Sequence, residues 1–424
     1  MTAKNTRPGA TRRAFLKTSA ATLAGAAVVG HVQAVGGDTL KVGLIGCGGR
    51  GTGAAIQALT ADDNVQLTAL GDAFGDRLEN SLGEIKRSKI GKKVAVTADT
   101  CFIGFDAYKG VIDSGVDVVL LTTPPHFRPL HLKYAIEKGK HCFCEKPMAV
   151  DAPGVRSVIE SAALAKKKGL NLMSGFCYRY DWAKRETIKR VHDGAIGDLR
   201  ALHVSFNTGP IWEFARQKEW TDMEWQMRNW YYFCWLSGDH IVEQHCHNLD
   251  KASWALKNAT PLAATGVGGR TQRTASKYGN IFDHHSVVFE FPDDVKVFSV
   301  CRQWDKCHHD INDHLIGTKG SCQLMKHTIT GEKKWKYDGE QPVMYQVEHN
   351  ELFAAIRAGK TINDGDFMGN STLIAIMGRM ATYTGQRVTW KQMLESREDL
   401  TPAKYEWGEL AVAPIPVPGF TKVR

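Results

Sequence analysis

A glycine-rich segment offers the first chemistry in this sequence. It follows an apolar run and opens an amphipathic stretch, and it reads Gly46-Cys47-Gly48-Gly49-Arg50-Gly51. In that context G-x-G-x-x-G gives a tight turn at its first glycine, close backbone approach to a pyrophosphate at its second, and close helix–strand packing at its third. Helix N–H groups also attract phosphate. We predict a dinucleotide site in which Gly46, Gly48, Gly49, Arg50 and Gly51 contact the cofactor.

Asp72 stands at the end of the next apolar run. There, a carboxylate binds the ribose hydroxyls of NAD and repels the 2′-phosphate of NADP. NAD is therefore the predicted cofactor, although Arg77 nearby leaves NADP open. The alternative for Asp72 is an N-cap of the following helix.

A second set of reactive residues follows another apolar run, in His141-Cys142-Phe143-Cys144-Glu145-Lys146-Pro147. In open α/β sheets the carboxyl ends of strands form the ligand-binding edge, so position alone makes Lys146 a candidate. A surface charge is the alternative. Pro147 is compatible with a cis or a turned chain, and the sequence does not decide between them.

The elements that position these residues follow βαβ logic. Strands are predicted at residues 40–45, 65–70, 116–121, 141–145 and 170–176, with helices between them. The runs are apolar on both faces, which predicts a doubly wound parallel sheet of Rossmann type. Residues 38–160 are the predicted dinucleotide-binding domain.

The second half has a different pattern. Residues 201–206, 286–291 and 295–301 alternate apolar and polar side chains, and Pro292-Asp293-Asp294 joins the last two runs as a hairpin. We predict an α/β substrate-binding domain over residues 161–410 with a large, mostly antiparallel open sheet. Helices are predicted at 348–357 and 371–383, and a helix at 370–385 is expected to pack toward the first domain. Residues 411–424 form an extended tail.

Composition excludes several classes of protein. The chain has 424 residues, 43% hydrophobic and 23% charged, as in ordinary globular proteins. The net charge is +9, but the first 34 residues contribute five basic residues and no acidic one. The rest of the chain therefore has a net charge of 9 − 5 = +4, so nucleic acid is not an expected partner. The ten cysteines form no C-x-x-C pair, and His-x-His on a helix directs its side chains about 200° apart, so no metal site is predicted.

Residues 1–34 have the layout of a cleavable export signal. Arg12-Arg13 and Lys17 precede a small-residue apolar run of about a dozen residues, too short to span a bilayer. We predict a twin-arginine signal cleaved after Ala34, hence a periplasmic or cell-envelope protein without a membrane span. The alternative is an amphipathic first helix.

Several motifs together resemble the Gfo/Idh/MocA oxidoreductases, which include glucose–fructose oxidoreductase and inositol dehydrogenases. The resemblance covers nearly all of the chain after the leader. It depends on Val42-Gly43-Leu44-Ile45-Gly46-Cys47-Gly48, Thr123-Pro124-Pro125-His126, Gly139-Lys140-His141, Glu145-Lys146-Pro147, Gly194-Ala195-Ile196-Gly197, Gly238-Asp239 and His247-Asn248-Leu249-Asp250.

The resemblance implies that Lys146 lies between nicotinamide and substrate, and that His247 exchanges the proton of the reacting hydroxyl. His245 is the alternative, and any of His240, His245 and His247 could be a core histidine. The resemblance also implies the remaining contacts, which are Thr123, Pro124, His126 and Glu145 for the cofactor and Tyr178, Arg179, Glu243 and Asp250 for the substrate. Glu243 stands where an aspartate is usual, so it could hold the substrate, His247 or neither. Arg128 replaces what is often a second histidine.

Nine aromatic residues crowd the segment from Trp212 to Trp235. They fit two interpretations, a surface on which sugar rings stack, or a core or subunit interface. The family commonly associates through its second-domain sheet, so the resemblance also implies a homo-oligomer.

The expected function is an exported NAD(P)-dependent oxidoreductase acting on a sugar, sugar derivative or cyclitol. Because free dinucleotide is scarce outside the cytoplasm, we expect it to be held tightly and recycled. One alternative is a glycoside-cleaving enzyme that oxidises C3 transiently. Another is a non-catalytic sugar-binding protein.

Overall fold

The computed structural model describes residues 38–423. The leader prediction for residues 1–34 lies outside this range. Within it, the chain builds two sheets that each carry helices, and the predicted fold class is confirmed. Among these residues no helix combines the length and apolar character needed to cross a membrane.

The first sheet has six parallel strands in the order β3-β2-β1-β4-β5-β6. Its strands are β1 (Leu40–Ile45), β2 (Val65–Asp72), β3 (Cys101–Ile103), β4 (Val118–Leu121), β5 (His141–Cys144) and β6 (Leu172–Ser174). β4 is buried at all four residues, because helices cover both faces of the sheet. β6 extends this sheet beyond the predicted domain boundary at residue 160.

Helices connect these strands in alternation. They are α1 (Gly49–Ala61), α2 (Gly75–Arg87), α3 (Ala107–Asp113), α4 (Arg128–Glu137) and α5 (Ala152–Lys168). α5 begins where the Asp151 side chain accepts a hydrogen bond from Gly154 N, and it ends at Gly169 with φ 68°. Because every strand is parallel, the segments that follow β1, β2, β4 and β5 meet at one edge of the sheet.

The second sheet has nine strands in the order β14-β13-β12-β11-β7-β10-β9-β8-β15, and only β7 and β10 pair in parallel. Its strands are β7 (Leu199–Thr208), β8 (Ala263–Gly269), β9 (His284–Glu290), β10 (Lys296–Gln303), β11 (Asp310–Gly317), β12 (Gly320–Gln323), β13 (Thr328–Gly331), β14 (Trp335–Lys336) and β15 (Val388–Thr389). The predicted hairpin is present, and β9 and β10 pair antiparallel across Pro292–Asp294.

The helices of the second half are α6 (Trp182–His192), α7 (Asp222–Arg228), α8 (Cys234–Ser237), α9 (His240–Glu243), α10 (Cys246–Ala255), α11 (Met344–Arg357), α12 (Gly365–Thr384) and α13 (Trp390–Glu395). α12 is buried along almost its whole length, because it packs against β8 and β9 of the second sheet and against α5 of the first. This helix joins the two sheets through one continuous core.

A C-terminal strap, residues 398–410, crosses from the first sheet's loops to α7. Tyr405 hydroxyl and the His126 ring lie 2.8 Å apart, and Trp407 packs on Phe105 with ring centroids 4.6 Å apart. At the other end, Met223 N donates to Gly408 O at 3.1 Å. The strap therefore connects residues on both sides of the cleft described next.

Candidate active site

A cleft of about 670 Å³ opens at the carboxyl edge of the first sheet. One wall carries the glycine-rich segment and the residues after β2, β4 and β5. The other wall comes from the second half of the chain and includes Glu243, Gln244 and His247. Residues predicted from separate motifs thus meet in one space.

The glycine-rich segment has the geometry that phosphate binding needs. Gly46 has φ 96°, and a Cβ at Gly51 would lie 1.9 Å from Gly46 O. Gly48, by contrast, faces open space, with Arg77 Nη1 as the nearest atom at 3.9 Å from an added Cβ. No side chain caps the N-terminus of α1, so its N–H groups remain directed at the cleft. These residues fit a dinucleotide pyrophosphate.

Asp72 lines the cleft at the end of β2. Its carboxylate accepts hydrogen bonds from Cys47 N at 2.6 Å and from Phe74 N at 2.9 Å, which ties the glycine-rich segment to the next loop. Burial raises the pKa of this carboxyl against the effect of those bonds. The following helix begins after Phe74, so Asp72 is not its N-cap.

Arg50 and Glu145 lie in the cleft wall and are paired with each other. The same guanidinium donates to Glu348 Oε1 at 2.9 Å, and it lies 4.9 Å from the centroid of the Tyr345 ring. Burial opposes the charge of Arg50, but Glu145 and Glu348 outweigh it and raise the arginine pKa. This network anchors the glycine-rich segment to α11.

Arg128, noted in the sequence as a departure, joins the loops after β4 and β5. Its side chain donates to Thr123 O at 2.6 Å and to Pro147 O at 2.7 Å. The peptide bond between Lys146 and Pro147 is cis, one of the two geometries that the sequence left open. Thr123 and Pro124, which are predicted cofactor contacts, both line the cleft.

His126 is not part of the cleft lining. Its ring bonds Tyr405 of the strap and packs edge-on against Trp235 at 5.0 Å. Burial lowers its pKa to about 4, so this histidine is neutral at physiological pH. The geometry gives His126 a place in the contact with the strap and does not support the predicted cofactor contact.

Lys146 and Glu243 form an ion pair across the cleft. Lys146 Nζ donates to Glu243 Oε1 at 2.8 Å and also to the Glu243 carbonyl. Burial opposes the lysine charge, yet the carboxylate outweighs it and raises the pKa of Lys146. The sequence left three roles open for Glu243, and in this structure its partner is the lysine.

His247 lines the cleft on α10, beside Tyr178 with ring centroids 5.2 Å apart. Burial and then the positive charges of Lys146 and Lys251 lower its pKa well below the ordinary value, so the imidazole is neutral. Within residues 38–423 its buried Nδ1 has no hydrogen-bond partner. A neutral imidazole in a cleft can accept a proton.

His245 and His240 lie outside the cleft lining. His245 is fully buried and bonds Ser299 Oγ at 2.7 Å. His245 therefore belongs to the core that packs against the second sheet. This agrees with the alternative that it is a core histidine.

Of the predicted substrate contacts other than Glu243, only Tyr178 lies in the cleft wall. Arg179 and Asp250 pair with each other instead, since Arg179 Nε lies 3.0 Å from both carboxylate oxygens and Nη2 lies 2.7 Å from Oδ1. Ser371 Oγ donates to the same carboxylate at 2.7 Å. The pair is buried and lies outside the cleft lining, so the geometry does not support the predicted substrate contacts of Arg179 and Asp250.

The cleft also includes residues that the sequence did not single out. They are on separate elements, and they include His131, Cys177, Phe206, Gln244 and Tyr345. His131 stacks on Tyr108 at 4.3 Å, and burial lowers its pKa to about 3. Gln244 is adjacent to Glu243 in the sequence, which is the one signal that could have indicated it.

Asp239, His240 and His285 are residue types that hold metals, and their ligand atoms lie within 4.8 Å of one another. Asp239 already accepts bonds from its neighbours, including Phe282 N at 2.8 Å and His240 Nδ1 at 2.8 Å. The Tyr383 hydroxyl donates to the same carboxylate. The cluster is thus a hydrogen-bonded network in which both carboxylate oxygens have partners.

Comparison with known proteins decides the family of the dinucleotide domain. Residues 40–176 match the Gfo/Idh/MocA model, described as an oxidoreductase family with an NAD-binding Rossmann fold. The chain is an oxidoreductase with the NAD-binding domain of the Gfo/Idh/MocA family. Its glycine-rich segment, Asp72 and Lys146 all fall within the matched residues.

Relatives of this chain include inositol 2-dehydrogenase 3 of Saccharopolyspora erythraea, 26% identical over 69% of this chain and 75% of the relative. Among solved structures, the aldose–aldose oxidoreductase of Caulobacter crescentus matches with TM-score 0.62 and 20% identity, over 83% of this chain and 99% of that one. A levoglucosan dehydrogenase in complex with NADH and levoglucosan matches with TM-score 0.65 and 17% identity, over 82% and 99%. These structures are similar in fold.

Proposed function

We propose that this oxidoreductase acts on a secondary hydroxyl of a sugar, sugar derivative or cyclitol. The observation that carries the proposal is the meeting of Lys146, Glu243 and His247 in the same cleft as the glycine-rich segment. The names of the relatives, inositol 2-dehydrogenase, aldose–aldose oxidoreductase and levoglucosan dehydrogenase, give it further support.

Each residue has a defined task in alcohol oxidation. His247 is neutral and takes the hydroxyl proton, while the Lys146 cation stabilises the negative charge that develops on oxygen. When bound, NAD would supply the acceptor for the hydride. The hydroxyl oxygen loses its proton to His247, and the carbon loses the hydride. The alcohol carbon thereby becomes a carbonyl carbon. Glu243 keeps Lys146 charged and directed into the cleft.

We further propose that the dinucleotide is retained and recycled within each turnover. The cleft wall residue Phe105 packs on strap residues Tyr405 and Trp407 at 5.9 and 4.6 Å, and Phe74 packs on Trp407 at 5.3 Å. The strap thus packs on two residues of the cleft wall, which supports slow exchange of a dinucleotide bound there. NAD is the preferred cofactor because Asp72 lines the cleft, with Arg77 leaving NADP open.

Assembly and location are also proposals. The outward face of the second sheet exposes Val267, Phe298 and Ile316, an apolar surface that fits a homo-oligomer interface. A Phe298→Lys change should shift the mass measured by light scattering to that of a smaller species. The Arg12-Arg13 leader supports export to the periplasm or cell envelope, and Lys at both positions should abolish it in cell fractionation.

The test of the proposed function begins with protein purified without added cofactor. Denaturation should release stoichiometric NAD(H) or NADP(H), identified by mass spectrometry. Gly48→Asp should remove it, since the new carboxylate enters the phosphate site, yet the fold should persist because a Cβ there meets no close atom. Sugars and cyclitols should then reduce the bound dinucleotide. A protein that neither retains nor binds dinucleotide would overturn the proposal.

A further inference from the structure

The aromatic segment of residues 212–235 divides into two groups in the structure. Tyr231, Tyr232 and Phe233 are buried in a core of their own, whereas other members line the cleft. We call Trp212, Phe214 and Trp230 the aromatic platform. Trp212 lies 5.4 Å from Phe214 and 6.0 Å from Trp230, ring centroid to centroid, and 41% of Trp212 is exposed. Trp212 and Phe214 thus face solvent within one cleft wall, and the partly buried Trp230 packs beside Trp212.

The platform is held in place although residues 209–220 contain no helix or strand. Fully buried Asn229 accepts a hydrogen bond from Phe214 N at 2.8 Å and donates one to Phe214 O at 3.0 Å. The Tyr232 hydroxyl donates to Ile211 O at 3.2 Å. Bonds from both sides of Trp212 fix the loop, so the exposed rings are preorganised for contact with a ligand.

The platform adjoins the reacting groups. Tyr231 packs against Trp230 at 5.4 Å and Trp212 at 6.5 Å. Gln303 Nε2 donates to the Tyr231 hydroxyl at 3.1 Å and to Gln244 Oε1 at 2.7 Å. Glu243 precedes Gln244 in the chain, and both line the cleft. Tyr231, Gln303 and Gln244 therefore link the platform to the Lys146–Glu243 pair.

We infer that the platform binds a second six-membered ring, joined through a glycosidic bond to the sugar whose hydroxyl reacts. Aromatic side chains stack on the apolar face of a pyranose or on an aryl ring. A sugar ring held at Lys146 and His247 would leave the exposed rings of Trp212 and Phe214 in water unless its substituent covered them. The substrate class is then glycosides rather than free monosaccharides. This inference rests on the proposed function for the position of the first ring.

The test compares three probes that share one sugar: methyl β-D-glucopyranoside, phenyl β-D-glucopyranoside and cellobiose. Affinities are measured by calorimetry on the full chain with its dinucleotide. Phenyl glucoside, cellobiose or both should bind more tightly than the methyl glucoside by about three- to tenfold, the value of one good ring contact. The tighter of the two distinguishes an aryl from a sugar ring. Matched galactosides and mannosides cover the other configurations.

Trp212→Ala should remove this preference and leave methyl glycoside affinity within about twofold. Trp182→Ala is the matched control, because Trp182 is 42% exposed on α6 and outside the cleft lining. Equal affinity for methyl, phenyl and sugar glycosides in every configuration would overturn the inference, as would loss of dinucleotide from Trp212→Ala. Ring-dependent binding without reduction of the dinucleotide would uphold the platform and count against the proposed reaction.

Discussion

Two ion pairs, Lys146–Glu243 and Arg179–Asp250, each join a residue of the segment after β5 or β6 to a residue of α9 or α10, and they serve different ends. Lys146 and Glu243 lie in the cleft wall, with 14% and 15% of their side chains exposed. Arg179 and Asp250 have 10% and 2% exposed, with Ser371 donating to the carboxylate as well. The first pair can exchange its partner for a substrate oxygen, while the second has no open position. Location in the cleft, and not charge type, distinguishes the pair that we propose to react from the structural one.

The largest effect should come from the histidine that completes the reacting side. His247→Asn should lower kcat/KM by about a thousandfold, because it removes the proton acceptor. In the unmodified enzyme the acid limb of the kcat/KM profile should lie below the ordinary histidine pKa of 6.5, since burial and two lysines lower the pKa of His247. Steady-state kinetics across pH measures both. If His245→Gln lowered kcat/KM by a comparable factor with the fold intact, the assignment of His247 as the proton acceptor would be wrong.

Lys146→Met should lower kcat by about a hundred- to a thousandfold, the usual loss on removing one group that stabilises an oxyanion. Bound dinucleotide, measured after denaturation, should stay stoichiometric. Lys189→Met, at an exposed position on α6, is the control and should leave kcat unchanged. Full activity of Lys146→Met would break the distinction between the two pairs.

Asp250→Asn should act on stability instead. It leaves the buried Arg179 charge without its partner, and the free energy of unfolding should fall by about 3 kcal/mol or more. Chemical denaturation measures this, with exposed Asp193→Asn as a control expected to change stability by less than about 1 kcal/mol. An unchanged free energy of unfolding in Asp250→Asn would contradict the structural role.

Glu243→Gln should have the smallest effect and the most specific one. Without the carboxylate, burial lowers the pKa of Lys146, so the lysine loses its proton as pH rises. The alkaline decline of the kcat/KM profile should begin at a lower pH than in the unmodified enzyme. The loss should be about tenfold in that alkaline range, with little change near neutrality. Glu243→Asp, which keeps the charge, should not produce this shift. Identical profiles for both variants would show that Glu243 does not tune the lysine.

The first domain could be predicted because local sequence sets it. The strand at Leu40–Ile45 has its predicted bounds, and the glycines after it have the predicted geometry. Strand β3 was missed because it has only three residues. Strand β8 was missed because three of its seven residues are glycines, which are rare in strands. Gly266 and Gly268 are needed there, since a Cβ at either would crowd Thr382 of α12.

The partners within the site could not be predicted to the same degree. Lys146 and Glu243 are 97 positions apart in the sequence, and Arg179 and Asp250 are 71 positions apart. Their pairing therefore depends on the tertiary fold and cannot be obtained from local sequence. Tyr178 and Arg179 are neighbours, yet one faces the cleft and the other faces the core. That difference depends on the short helical turn at Cys177–Tyr180, which no hydrophobic pattern in the sequence predicts.

The C-terminal strap also sets an order of events during synthesis. A ribosome completes residues 398–410 after every residue that lines the cleft, the last of which is Tyr345. N-terminal domains generally fold first while the chain is still being made. The dinucleotide-binding half can therefore fold before the strap is made, and Tyr405 and Trp407 pack on Phe105 only when translation is almost finished.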